Sequence, residues 1–389
     1  MVSCESETVT MQDKRIFIHC EDLNKNGYPE ECPFNTSRAG RTMQAADSMG
    51  LLSGDDREVV EPLRAERSEL ETFHTAEYLD VLEAASRGVL DPYVAMHMGL
   101  GTADCPVWLG MYHYLTLAVG ASLTGARWIL EGKAKVAFNP SGGLHHAHAG
   151  QASGFCYLND LVLAANAFVA ANKRVLFLDI DVHHGDGVQE AFYARKDVMT
   201  ISMHESGRSL FPGTGFVADS GVGEGVGYSV NVPLPVGTYD EAYHRAFHEG
   251  VLPLIQAYDP DVIIMEMGMD TLAGDPLAHL HLTNNTPADI VDHVVSLGKP
   301  MLATGGGGYH VEHTIRGWAL CWGVLCGDHA LHEASMMGMG GMMTENTDWF
   351  GGLRDRMMIS DAGRREDIDT AIEATLNEIK RELFPLHGL

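Results

Sequence analysis

The feature that most constrains this chain is a set of short apolar runs that stop abruptly at polar or glycine-rich residues. Val175-Leu176-Phe177-Leu178 runs into Asp179-Ile180-Asp181-Val182-His183-His184. Val262-Ile263-Ile264-Met265 leads on to Gly268-Met269-Asp270, and Met301-Leu302-Ala303 leads to Thr304 and the glycines Gly305 to Gly308. Val136-Ala137-Phe138 ends at Asn139-Pro140-Ser141-Gly142-Gly143, and Val198-Met199-Thr200-Ile201-Ser202 ends at Met203-His204. Continuous apolar runs of this length read as strands buried on both faces. Helical segments separate them: alanine-rich Asp160 to Asn172, amphipathic Asp240 to Tyr258, and Pro287 to Leu297. For the last, Thr286 is the expected N-cap and Pro287 the first helical residue. Strands alternating with helices predict an α/β fold with a mainly parallel central sheet and helices on both faces. In such folds ligands bind at the carboxyl ends of the strands. The unusual polar residues of this chain stand at those ends, so they are expected to converge.

The 389 residues are 45% hydrophobic and 20% charged, which is enough to bury a large core. No Pro/Ser-rich linker, low-complexity run or fixed repeat divides them, so one elaborated domain over 1–389 is expected. Met1 to Arg15 lacks the basic start and apolar centre of a signal peptide. Trp108 to Ala126 carries no Asp, Glu, Lys or Arg and is long enough to span a membrane. Its His113, Thr116, Ser122, Thr124 and glycines instead predict a central buried helix, and no membrane association. The 7 cysteines include no Cys-x-x-Cys, which implies reduced thiols in a cytoplasm. Cys156 reads as a small buried packing residue. Net charge is -27, from 26 basic and 53 acidic residues. That argues against a nucleic-acid binder, which needs a basic face. It suits a cationic partner such as a lysine-rich peptide or a polyamine, and serves solubility equally well.

Residues two apart on an extended segment point the same way, so Asp179, Asp181 and His183 project to one side. Three ionisable groups on one face are expensive to bury unless a cation pairs them. Asp270, at another strand end, supplies a third ligand beside Asp181 and His183. Two carboxylates and one imidazole leave a position open for water, the pattern of a catalytic metal site. The set is oxygen-rich, which also suits iron(II) or cobalt(II). Each piece alone has a bland reading, since a lone Asp at a strand end is usually a turn or helix cap. His145-His146 and His183-His184 add imidazoles in two loops of the same rim. His148 is expected to lie outside the site, and His244 and His248 to be a surface pair. Met336 to Met343 reads as a flexible loop rather than a soft-metal box.

The motifs together resemble the signature of the zinc-dependent histone deacetylases. They are Asn139-Pro140-Ser141-Gly142-Gly143-Leu144-His145-His146, Ala152-Ser153-Gly154-Phe155-Cys156-Tyr157-Leu158-Asn159-Asp160 and Asp179-Ile180-Asp181-Val182-His183-His184-Gly185-Asp186-Gly187-Val188. Phe211-Pro212-Gly213-Thr214-Gly215, Gly268-Met269-Asp270-Thr271-Leu272-Ala273-Gly274-Asp275-Pro276 and Gly305-Gly306-Gly307-Gly308-Tyr309 complete the set. Order and spacing match from about Arg38 to about Trp322. The wording is closest to class I deacetylases and bacterial acetoin-utilisation-type relatives.

The resemblance implies the arginase–deacetylase fold and hydrolysis of N6-acetyl-lysine in proteins or peptides. Asp181, His183 and Asp270 match the zinc ligands, and His145 and His146 the paired histidines that handle protons. Asp179 and Asp186 match the carboxylates that orient those histidines, and Tyr309 the oxyanion donor. Gly154, Phe155, Phe211 and Leu277 match the walls of the acyl-lysine tunnel. Asp104 matches a rim aspartate that holds the substrate backbone, and Arg38 an arginine of the acetate-release channel. Asp179, Asp181, His183, Ser202 and Met203 match a structural potassium site, and Phe192, Arg195, Val198 and Tyr228 a second one. The superfamily's binuclear manganese enzymes need a carboxylate where Gly185 stands, so one catalytic metal is expected. Leu210 replaces a second aromatic found in many class I members, and Glu205-Ser206-Gly207-Arg208-Ser209 is bacterial in style. Those departures leave the tunnel mouth and acyl choice open. Alternatives are deacetylation of a small molecule such as an acetylpolyamine, and a non-catalytic acyl-lysine reader. The oligomeric state is not legible.

Overall fold

The computed structural model describes residues 13–25, 27–328, 353–356 and 362–389. The methionine-rich stretch Met336 to Met343 lies outside them. The described residues form an eight-stranded sheet in which every pairing is parallel. Its strands are β1 (Arg15–Ile18), β2 (Arg57–Val60), β3 (Val136–Asn139), β4 (Val175–Asp179), β5 (Val198–Glu205), β6 (Ser229–Leu234), β7 (Val262–Glu266) and β8 (Met301–Thr304). Their spatial order is β2-β1-β3-β8-β7-β4-β5-β6.

The apolar runs are continuous because both faces of the sheet are covered. Along β4, Leu176 and Leu178 enter one core cluster while Val175 and Phe177 enter another on the opposite face. β1 divides the same way, with Phe17 on one side and Ile16 and Ile18 on the other. Each such side chain contributes about 1.5–3 kcal/mol by leaving water. Phe138 of β3 packs edge-on against Phe17 at 5.3 Å and stacks on Trp322 at 6.2 Å. Removing that ring would open a cavity costing about 3–5 kcal/mol.

The charge-free stretch beginning at Trp108 is a helix, Met111–Leu130, most of it buried. No helix among the described residues is long and apolar enough to cross a membrane. The helix expected over Asp240 to Tyr258 forms as Asp240–Ala246, a wider π turn at Phe247–Val251, and Leu252–Tyr258. Pro253 has no N–H to give and its ring would crowd the carbonyl four residues back; the wider turn relieves both.

One helix start differs from expectation. Thr286 is not the N-cap and Pro287 is not the first helical residue: the helix spans Asn285–Ser296 with Asn284 as N-cap. The Thr286 hydroxyl instead donates to Asp240 Oδ1 at 2.7 Å. Pro287 still falls among the first four residues, whose N–H groups have no helical partner.

Register aligns the carboxyl ends of the central strands. Asn139 pairs with Thr304, Thr304 with Glu266, Glu266 with Asp179, and Asp179 with Ser202. This polar row crosses five strands, and the loops that leave it hold the site.

Candidate active site

Beyond β4 the chain stays extended. Ile180 and Val182 enter the core, while Asp179, Asp181 and His183 turn the other way. Asp270 arrives from the loop after β7. His183 Nδ1 lies 3.1 Å from both Asp181 Oδ1 and Asp270 Oδ2. Ligand atoms of these three buried residues lie within 4.8 Å of one another. Backbone N–H groups take further carboxylate lone pairs: Gly307 N donates to Asp181 Oδ2 at 2.7 Å and Val182 N to Asp270 Oδ1 at 2.9 Å. A Cβ on Gly307 would stand 1.9 Å from Asp270 Oδ2, so only glycine lets this backbone approach.

The donor set fits a divalent cation. Burial disfavours charge on His183, yet the hydrogen bonds and charges of Asp181 and Asp270 outweigh it and push its pKa up to about 10. That proton stands between two carboxylates, where a metal ion would replace it. Burial, then the Asp181 charge, raises the Asp270 carboxyl.

Beside this set, His145 and His146 form a hydrogen-bonded pair. His145 Nδ1–H donates to Asp179 Oδ2 at 2.9 Å, and His146 Nδ1–H to Asp186 Oδ1 at 2.7 Å. Their Nε2 atoms are 3.0 Å apart. Burial opposes charge on His145, but Asp179 and Asp181 win and lift its pKa to about 9. Burial and the neighbouring His145 charge press His146 down to about 4, despite Asp186. At neutral pH, His145 is therefore the cation that donates across the 3.0 Å contact and His146 the neutral acceptor.

Two residues of the Leu158-Asn159-Asp160 stretch fix this loop. Asp160 Oδ1 accepts Leu144 N at 2.8 Å, and Asn159 Nδ2 donates to Ala147 O at 2.9 Å and His145 O at 3.3 Å. Asn159 also caps the helix Asp160–Ala170 by accepting Val162 N. The motif is quoted above, but those positioning roles were not read from the sequence.

Of the residues expected to wall a tunnel, Gly154, Phe155 and Phe211 lie beside these rings. Phe211 packs edge-on against His146 at 5.0 Å and His183 at 6.4 Å. Phe155 lies 5.7 Å from the Tyr309 ring, which is 6.3 Å from His183. Gly154 has φ +50°, and a Cβ there would sit 2.4 Å from His146 Cδ2. Leu277 is half-buried and Asp104 exposed. Arg38 lies behind the glycine run, buried, donating to Gly308 O at 2.6 Å and Gly306 O at 3.0 Å.

The proposed potassium residues are also placed. Ser202 is the register partner of Asp179, and Met203 follows it on β5. In the second set, Phe192 O accepts Arg195 N at 2.9 Å and Tyr228 O accepts Thr200 N at 2.9 Å, which leaves each carbonyl a second lone pair. Val198 begins β5.

Other histidines stand apart. His184 turns away to Thr214 Oγ1 at 2.8 Å. His244 and His248 stack at 6.1 Å, but only His248 is exposed; contrary to the expected surface pair, His244 is half-buried, its Nε2 3.8 Å from Asp289 Oδ2 on the neighbouring helix. His148 is nearer than expected: it bonds Glu190, and its Nε2 stands 3.7 Å from Asp186 Oδ2, behind the His145–His146 pair.

Two carboxylates escaped the sequence reading. Asp275 Oδ2 accepts Tyr309 N at 2.7 Å while its Oδ1 accepts Leu277 N at 2.9 Å. Glu266, on the last position of β7, is fully buried near His145 and Asp181. Its Oε2 accepts Gly268 N at 3.2 Å, and its Oε1 has no hydrogen-bond donor. Burial, then the charges of Asp181 and Asp179, holds this carboxyl well above the usual range. Glu266 ends an apolar run just as Asp179 does, and that was its available signal.

Comparison with known proteins agrees with this geometry. The Histone deacetylase domain family matches residues 32–325. Histone deacetylase clr6 of Schizosaccharomyces pombe is 37% identical over 313 residues, covering 80% of this chain and 76% of that protein. The acetoin utilization protein AcuC of Bacillus subtilis is 38% identical over 325 residues, covering 82% and 84%. The crystal structure of a histone deacetylase homologue from Aquifex aeolicus superposes with a TM-score of 0.83 at 29% identity, over 95% of this chain and 100% of that one. The chain belongs to the histone deacetylase family of amide hydrolases.

Proposed function

We propose that this protein hydrolyses the N6-acetyl amide of lysine in proteins or peptides, releasing acetate and lysine, with one zinc ion held by Asp181, His183 and Asp270. The observation that carries the reading is the set of aromatic rings packed around the candidate ligand set. Phe155 and Phe211 flank rings that end on His146, His183 and Tyr309. An unbranched aliphatic chain tipped with a planar amide suits such surroundings, because its methylenes lose water against the rings while the amide meets polar groups.

Zinc in that position supplies Lewis-acid polarisation of the acyl carbonyl and acidifies a water to a pKa of roughly 7. His146 begins neutral, with Asp186 holding Nδ1–H; once its one Nε2 lone pair passes from the His145 hydrogen bond to the attacking water, it takes the proton of that water. It then returns a proton to the departing lysine nitrogen. His145 remains cationic beside it and stabilises negative charge as it develops. The Tyr309 hydroxyl donates to the oxyanion; burial and the Asp270 charge keep it protonated. Asp104 on the rim accepts N–H groups of the substrate backbone. Arg38, with the Gly306 and Gly308 carbonyls, lines the exit for acetate.

Structural potassium at Asp179, Asp181, His183, Ser202 and Met203, and at Phe192, Arg195, Val198 and Tyr228, is part of the same proposal. So is a single domain: Ile368, Ile372, Leu376 and Ile379 of the helix Ala362–Glu382 join the core beside the sheet. A cytoplasmic location fits the six cysteines of the described residues, all free.

The test is acetate release from acetyl-lysine peptides and from acetylated polyamines, with and without chelator. Chelator-sensitive turnover on peptides, restored by zinc, is expected. Turnover confined to polyamines would replace the substrate assignment, and peptide binding without turnover would make the protein a reader. The charge of -27 helps a polyamine as much as a basic peptide, so it does not discriminate.

A further inference from the structure

Glu205 is the last residue of β5, and its carboxylate is fully buried. A buried carboxylate is costly unless donors surround it. Here both oxygens are served by one residue 74 positions away: Oε2 accepts the backbone N–H of His279 at 3.0 Å, and Oε1 faces the His279 ring Nδ1 at 3.1 Å. The His279 side chain is itself 57% exposed. A buried acid is therefore holding a surface loop, which adds little to the core.

Both ends of this contact lead to residues that the resemblance implies are tunnel walls. On one side, Glu205 N donates to Val182 O at 2.8 Å, between Asp181 and His183. The loop that follows Glu205 carries Phe211, and Leu210 N returns to Ser206 O at 3.1 Å. On the other side, His279 stands two residues from Leu277, and Asp275 bonds Leu277 N from the opposite direction. Leu277 thus hangs between two buried carboxylate clamps. The Asp275 clamp ties it to Tyr309, and the Glu205 clamp ties it to the strand that leads to Phe211.

We propose that the Glu205–His279 clasp sets the width of the passage between Phe211 and Leu277, and so limits the bulk of the acyl group that reaches His183. Glu205 is a positioning residue; it touches no substrate. The proposal rests on the acyl-lysine reading above. Releasing the clasp lets the segment around Leu277 retreat, so acyl groups broader than acetyl pass more readily.

The test uses the metal-loaded full chain with acetyl-lysine and isobutyryl-lysine peptides. In Glu205→Ala, the acetyl-over-isobutyryl ratio of kcat/KM should fall at least fivefold, with KM for the acetyl peptide raised and kcat within about twofold. Glu205→Gln keeps an oxygen for the His279 N–H and should keep the ratio. A Glu205→Ala protein that melts with wild type and keeps the wild-type ratio overturns the proposal. If Glu205→Ala does not fold, His279→Ala decides: a shift in the same direction supports the clasp, and an unchanged ratio overturns it. Amide hydrogen exchange separates this claim from the chemistry. Protection at His279 should fall at least tenfold in Glu205→Ala even if no lysine substrate is ever turned over, and unchanged protection overturns the clasp.

Discussion

His145 Nε2 and His146 Nε2 share one proton across 3.0 Å, because opposite electrostatics act on two adjacent rings. Asp179 and Asp181 lift His145 to about 9 against burial, and burial with the His145 charge presses His146 to about 4. The expected kcat/KM profile is a bell, its acid limb set by His146 and its alkaline limb by His145. Asp179→Asn removes support for the cation, so the alkaline limb should move to lower pH. A limb that stays in place would refute the assignment. The same shift bears on stability. The folded value near 9 exceeds the ordinary 6.5, so the cation's stabilisation is complete below pH 6.5 and fades as pH rises through about 9. Asp179→Asn should flatten that decline.

Tyr309 is held at its backbone rather than at its ring. Tyr309→Phe should lose about a hundredfold in kcat while still binding substrate, the usual cost of one oxyanion donor. Asp275→Ala frees the Tyr309 backbone and leaves the phenol intact. Hydrogen bonds to a charged group contribute about 1.5–3 kcal/mol, so a loss of about tenfold or more in kcat is expected, with KM little changed. Wild-type kcat in Asp275→Ala would show that this carboxylate does not position the tyrosine.

Gly307 tests the metal reading without replacing a ligand. Its added Cβ would stand 1.9 Å from Asp270 Oδ2 and 2.8 Å from Asp181 Oδ2. Gly307→Ala should fold, by circular dichroism, yet purify with far less than one equivalent of metal. Retention of a full equivalent would place the ion elsewhere. Two equivalents of transition metal at the wild-type active site would contradict a mononuclear centre.

Glu266 gives a prediction with a sign. Its carboxyl is held well above the ordinary 4.5 by burial and by Asp181 and Asp179. The folded state then binds the proton more tightly than the unfolded chain. Its contribution therefore falls as pH rises above 4.5. Glu266→Gln is neutral throughout and offers an N–H toward neighbouring acids. In metal-free protein its melting temperature should exceed wild type, with a margin that grows from about pH 5 to 8. A margin independent of pH would mean that Glu266 is ionised in the fold.

The sequence disclosed those parts whose signal is local. β3, β4, β5, β7 and β8 are continuous apolar runs because helices cover both faces, and their polar ends are adjacent in the chain. β2 was missed because Arg57-Glu58-Val59-Val60 is a partly exposed edge strand with too few apolar residues. β6 is the opposite edge and mixes Ser229 and Asn231 with valines. The start of the helix at Asn285 was misplaced because the Thr286 hydroxyl is spent on Asp240, 46 residues away. Long separation also hid the carboxylates that hold the site together. Asp275 serves Tyr309 34 residues on, and Glu205 serves His279 74 residues on, so neither leaves a pattern in its own neighbourhood.

Gly154 places a boundary on how such a protein can change. Its backbone is left-handed at φ +50°, and any side chain would meet His146 and Phe211 within 3 Å. Gly154 has no room to vary by substitution, since each replacement both strains the chain and displaces the His146 ring. Diversification of what the passage admits is therefore confined to the facing segments, and a mutational library aimed at new acyl groups belongs there, with Gly154 left untouched.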